Sequence, residues 1–172
     1  MARPVSTPLI ICADFTPADF SALDALRRAH FPPERNILPA HLTMFHALPP
    51  SALDDARRQL AHHASGGPPR ALLAGLINLG SGVAFRVVSD DLDAIRAELA
   101  DHFHGALTAQ DAHGWRPHVT IQNKVTSSVA RALMVDLERD FKARPLGIAA
   151  LSLHRYLGGP WDRVARYPFR GS

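Results

Sequence analysis

The sequence predicts a single mixed helix-and-strand domain built from two similar lobes, and three observations carry that expectation. Strand-like and helix-like segments alternate along the chain. Their order repeats at a displacement of 77 residues, the separation of His41 and His118, and both copies hold the phrase His-x-Thr-x at the same place. The 172 residues amount to about one domain, long enough to bury roughly 70% of the unfolded surface. With 47% hydrophobic and 20% charged residues, disorder, collagen-like repeats and disulfide scaffolds are excluded.

Residues 8–14 form an apolar run expected to be a buried strand. Thr16-Pro17-Ala18-Asp19 then supplies a hydroxyl cap, proline at the first helical position and an acid in the first turn. Phe20, Leu23 and Leu26 mark one face of the helix that follows, which runs to His30 and stops at Pro32-Pro33. A second strand covers residues 41–48, and Pro49-Pro50-Ser51 closes it and caps a helix with Leu53, Ala56 and Leu60 on its apolar face. After Gly66-Gly67-Pro68-Pro69, strands at 70–79 and 83–88 are joined by the Gly80-Ser81-Gly82 turn. Ser89-Asp90-Asp91 opens a helix whose core stripe is Leu92, Ile95, Leu99 and Phe103. A polar loop leads to a strand at 118–125. Ser127-Ser128 then opens a helix with Val129, Leu133, Leu137 and Phe141 as its apolar positions. Strands at 146–157 and 161–169, joined by Gly158-Gly159-Pro160, end the chain. Displacement by 77 residues lays the strand at 41 on that at 118, Ser51 on Ser128, and the Gly80 turn near Gly158.

The single cysteine, Cys12, lies in an apolar run and is expected to be a buried thiol in a reducing compartment. No stretch approaches the ~18 apolar residues of a membrane span, and the N-terminus has no leader pattern, so a soluble cytoplasmic protein is expected. The balance of 19 Lys and Arg against 16 Asp and Glu suits a phosphate-bearing ligand but falls short of the basic stripe of a duplex binder. The unusual count is histidine, at 10 residues.

Two of these histidines stand apart. His41-Leu42-Thr43-Met44 and His118-Val119-Thr120-Ile121 fall on equivalent strands. Side chains alternate along a strand, so each phrase presents an imidazole beside a hydroxyl on one face and two apolar residues to the core on the other. With 6 Thr in the chain, chance gives about 0.35 His-x-Thr pairs, and two with this apolar pattern arise in fewer than about one sequence in a hundred. Zinc is the rival use of histidine, but neither phrase has a third ligand nearby and Thr is a poor one. His62, His63, His102 and His104 lie near helix ends and are expected to be solvated. His46 and His113 are each five residues from a motif histidine, the wrong parity to share its face.

Paired His-x-Thr-x phrases in a repeating strand-helix chain resemble the 2H phosphoesterase superfamily, and within it the bacterial RNA 2′,3′-cyclic phosphodiesterases, also labelled 2′-5′ RNA ligases. The resemblance spans nearly the whole chain, including Arg116-Pro117 and the terminal hairpin from Tyr156 to Phe169. It implies an α+β, bilobal fold, with pseudo-two-fold-related lobes, antiparallel sheets lining a central cleft and helices outside. It also implies His41 and His118 as the catalytic pair and Thr43 and Thr120 as phosphate-binding hydroxyls. Relatives carry Arg three residues after the second Thr; this chain has Asn123 followed by Lys124.

Opening a 2′,3′-cyclic phosphate by water is an in-line displacement, so two proton-transfer groups must face each other across one phosphate. Imidazole, with an ordinary pKa near ~6.5, serves on either side at neutral pH, and threonine hydroxyls donate to the non-bridging oxygens where charge builds. The expected function is hydrolysis of cyclic phosphate ends of RNA or small nucleotides, with no metal, cofactor or obligate protein partner. The alternatives are ligation without ATP by the reverse reaction and a non-catalytic nucleotide- or RNA-binding module. Phe85, Arg86, Arg116, Lys124 and Tyr156 are the candidates for further substrate contacts. The sequence is silent on which histidine is base and which is acid.

Overall fold

In the computed structural model, which describes residues 7–171, the elements follow the order β1 (Leu9–Phe15), α1 (Pro17–His30), β2 (Leu42–Leu48), α2 (Leu53–Ala64), β3 (Arg70–Asn78), β4 (Val83–Val88), α3 (Asp90–His102), α4 (Ala109–Ala112), β5 (His118–Gln122), α5 (Ser127–Asp140), β6 (Arg144–Tyr156) and β7 (Trp161–Pro168). Every strand pair is antiparallel. The fold is α+β, and among the described residues no helix is long and apolar enough to cross a membrane.

The strands are ordered β2-β1-β6-β3-β4-β5, with β7 added on β6. Exchanging β1 with β4, β2 with β5 and β3 with β6 turns this order into its own reverse, which is the two-fold relation implied by the 77-residue displacement. β7 has no counterpart. The resemblance between the Gly80 and Gly158 turns is therefore one of chain order, because β4 occupies the place in the sheet that β1 occupies in the other half. β6 joins the halves: its residues 144–147 pair with β3, 148–155 with β1, and 150–156 with β7. At the handover stands Gly147, where an added Cβ would lie 2.5 Å from Cγ2 of Thr16, so only glycine admits the chain at the start of α1.

Strand alternation holds at both motifs. Leu42, Met44, Val119 and Ile121 are fully buried, while His41, Thr43, His118 and Thr120 are partly exposed. Buried apolar side chains from both halves form one contiguous cluster, and Cys12 is buried as expected.

Several local expectations change. Thr16 gives its hydroxyl to Asp19 Oδ2 at 3.4 Å instead of capping α1. Ser51 lies within a 3₁₀ turn, leaving Ala52 at the start of α2 without a side-chain cap. Thr126, one residue before the predicted pair, accepts the N–H of Val129 at the start of α5. Ser89 caps α3 as predicted, accepting from Leu92 N. β5 ends at Gln122 rather than 125 because Lys124 adopts a left-handed φ of 63°, fixed by its N–H to Asn123 Oδ1. The side chain of His63, expected to be solvated, is only 9% exposed and pairs with Glu98. Phe20 and Val129, placed on buried helix faces by periodicity, are exposed.

Candidate active site

β2 and β5 are the two ends of the six-strand path, and the sheet curves so that they approach each other. His41 immediately precedes β2 and His118 begins β5. Each is anchored in the same way: His41 Nδ1 lies 2.8 Å from the carbonyl oxygen of Pro39, and His118 Nδ1 lies 2.7 Å from that of Arg116. A carbonyl only accepts, so both rings donate through Nδ1–H and leave Nε2 for a ligand.

Two buried arginines hold the motif strands from across the two-fold. Arg27, on α1, donates Nη1–H to the carbonyl of Thr120 at 3.0 Å and Nε–H to Asn36 Oδ1 at 2.8 Å. Arg96, on α3, donates to the carbonyls of Met44 at 2.9 Å and Asp111 at 2.6 Å. Each guanidinium covers a phenylalanine ring, Phe31 at 4.4 Å and Phe45 at 4.0 Å. A helix from each half thus clamps the motif strand of the other. Trp115 adds a third tie, donating Nε1–H to the carbonyl of Thr43 at 3.0 Å.

Thr43 and His118, one from each motif, line a single cavity of about 430 Å³ together with His46, Arg96, Asp111, His113, Trp115 and Arg116. The presence of His46 and His113 there contradicts the parity expectation. Opposite Ile11 and Cys12 the register of β2 steps from Phe45 to Thr43, so Met44 is an extra residue and His46 turns toward the cavity. His46 is fixed by Asp111, whose buried carboxylate accepts the backbone N–H groups of His46 and Ala47 and the His46 ring.

On the other side, His41 borders a second cavity of about 560 Å³ with Asp14, Phe20, His154, Trp161, Arg163 and Arg166 among its walls. Trp161 meets His41 edge-on at 4.8 Å between ring centres and His154 at 5.5 Å. Burial, aided by the charges of Arg27, His118 and His154, holds His41 well below the ordinary imidazole range, at about 4, against the opposing pull of its bond to Pro39. Burial also lowers His154. Ser152 gives its hydroxyl hydrogen to Asp14 Oδ1 at 2.6 Å, so at the 2.8 Å contact between His154 Nε2 and Ser152 Oγ the imidazole is the donor and the hydroxyl oxygen accepts.

Of the weaker candidates, Arg86 and Arg116 line a third cavity with Trp115 and His118. Phe85 is buried against Phe141, Lys124 is exposed in the turn after β5, and Tyr156 is exposed at the end of β6; none of the three lines any of these three cavities. Sequence reasoning missed His154, Trp161, Arg163, Arg166 and the two clamping arginines. A signal was present for His154, which follows Ser152 at strand spacing with Leu151 and Leu153 on the opposite face. Among the described residues, no group of three or more His, Cys, Asp or Glu side chains is arranged to hold a metal ion.

An antiparallel sheet with this near-palindromic order, bearing a histidine at each end, defines a phosphoesterase-like fold of the LigT type. The chain belongs to the 2′-5′ RNA ligase superfamily, whose family model matches residues 15–160. It is similar in structure to TT0787 of Thermus thermophilus, with a TM-score of 0.65, 16% identity, and coverage of 96% of this chain and 99% of that one. It is also similar to E. coli LigT in apo form, with a TM-score of 0.57, 16% identity, and coverage of 96% and 99%. LigT in complex with 3′-AMP gives a TM-score of 0.52 at 16% identity, over 95% and 98% of the chains. No curated protein matches the chain by sequence.

Proposed function

We propose that the chain is a cyclic phosphodiesterase that opens 2′,3′-cyclic phosphate ends of RNA or small nucleotides without a metal, its single domain formed of two lobes with the site between them. The observation that carries this reading is the matched pair of histidines, each anchored through Nδ1 to the carbonyl two residues before it, on strands that converge from opposite ends of the sheet. The nucleotide bound to LigT supports a nucleotide-sized ligand.

In the proposed reaction, His41 is the base in hydrolysis, because it is neutral at physiological pH with an open Nε2. Nε2 takes a proton from water as the water oxygen bonds to phosphorus. His118, protonated at Nε2, gives its proton to the leaving ribose oxygen as the ring P–O bond breaks. Thr43 and Thr120 donate to the non-bridging oxygens. With a ribose hydroxyl in place of water as the nucleophile and each histidine keeping its role, the same ring opening joins two ends, which is the ligation for which the family is named.

The test is turnover of a nucleoside 2′,3′-cyclic phosphate in the presence of EDTA, with the monophosphate as product. Turnover that persists in EDTA is expected. Complete loss with EDTA, or tight nucleotide binding with no turnover across a pH series, overturns the reading.

A further inference from the structure

The cavity on the His41 side is built differently from the one at His118. β7 pairs with β6 so that Ser152 faces Arg166 and His154 faces Arg163, which leaves Val164 as an extra residue between them. Residues three apart on a regular strand point to opposite faces; this bulge turns both guanidiniums to the same face, beside Trp161. Arg166 is held by its Nε–H to Asp14 Oδ2 at 3.2 Å, and Asp14 is itself fixed by Ser152. His41 and His154 are both held toward the neutral form, so the ionised groups lining the cavity are Arg163, Arg166 and Asp14, with a net positive balance.

The row Thr43, Cys12, Ser152, Arg166 runs straight across four strands. Three strand spacings separate its ends, roughly 14 Å, and the arginine side chain reaches back over part of that span. The remaining gap is on the scale of one nucleotide.

From this the geometry points to a second anion subsite, formed by Arg163 and Arg166, that takes the phosphate on the 5′ side of the nucleoside whose cyclic phosphate lies between the histidines. The substrate class is therefore a cyclic-phosphate nucleotide bearing a 5′ phosphate or phosphodiester, with its sugar or base against Trp161 and Phe20. This rests on the site reading given under Proposed function.

Three substrates test it: a nucleoside 2′,3′-cyclic phosphate with a free 5′-hydroxyl, the same compound with a 5′-phosphate, and a dinucleotide ending in the cyclic phosphate. The expected result is a kcat/KM about 10- to 100-fold higher for the phosphorylated compound, the dinucleotide or both, the scale of one or two charge-assisted contacts. A gain for the 5′-phosphate alone assigns a terminal phosphate, and a gain for the dinucleotide assigns the RNA backbone. In Arg163→Gln and in Arg166→Gln the ratio falls several-fold toward one. Arg163 is exposed, so its variant tests the subsite even where loss of the Asp14 contact weakens the fold of the other. Equal kcat/KM for all three substrates, or a preference untouched by both substitutions, overturns the subsite alone. No turnover of any of them overturns the site reading with it.

Discussion

An imidazole that donates Nδ1–H to a backbone carbonyl has one nitrogen left for chemistry, and at His41 that nitrogen stays unprotonated far into the acid range. With His41 as the base, the acid limb of kcat/KM for the free enzyme is expected near pH 4 rather than near the ordinary ~6.5. A limb near 6.5 that His41→Gln leaves in place contradicts the assignment. The same depression affects stability. Between pH 6.5 and 4 the unfolded chain binds a proton at this position and the folded chain does not, so stability present above 6.5 is lost as pH falls through that window. The drop in melting temperature over that window should be smaller in His41→Gln than in the wild type. In the proposed mechanism the threonines act on developing charge, so Thr43→Val and Thr120→Val are each expected to lower kcat by about 10²-fold with a smaller change in KM. Unchanged kcat in both would remove the hydroxyls from the mechanism.

Among the elements, the motif strands are positioned less by their own sequence than by side chains arriving from the opposite half. Arg27 and Arg96 each donate to the carbonyl of a motif-strand residue in the other half, Thr120 and Met44. Replacing Arg96 by Met removes its bonds to the Met44 and Asp111 carbonyls and is expected to cost about 1–3 kcal/mol, lowering the melting temperature by several degrees, with kcat reduced as β2 loses its register. A variant with wild-type melting temperature and rate would show that the clamp is dispensable. These contacts explain what the sequence revealed and what it hid. Apolar periodicity located the strands and long helices, because those patterns are local and set by burial. The clamps join residues 93 and 52 positions apart, and no local pattern marks them. The bulges at Met44 and Val164 were hidden for a related reason: an extra residue shows only once the partner strand is in place, and the one at Met44 reversed the parity on which the direction of His46 was predicted. His46, Arg163 and Arg166 therefore entered the cavities unannounced, whereas His41, Thr43, His118 and Thr120 keep the half-exposed side of the strand alternation, with His41 and Thr43 lining different cavities and Thr120 none of the three described.

At the scale of the whole molecule, the two-fold relation puts the two motif histidines on the converging end strands of the sheet. An in-line displacement needs two proton-transfer groups on opposite sides of one phosphorus, and in the proposed mechanism the repeated unit supplies them as the same histidine twice. The repeat was legible in the spacing of 77 residues although few residue identities match, because the order of elements and the two chemical phrases recur at that displacement. The asymmetry was not: β7, with its tryptophan and arginines, has no counterpart in the other half and makes the two sides of the cleft unlike. The central claim is that His41 and His118 act as one unit on one phosphate, and it is tested most directly by the single-turnover rate on a 2′,3′-cyclic nucleotide in His41→Ala, His118→Ala and the double variant. Each single substitution is predicted to cost about 10²- to 10⁴-fold, and the double variant little more than the worse single one. A single variant that keeps the wild-type rate, or losses that multiply in the double variant, would contradict the claim.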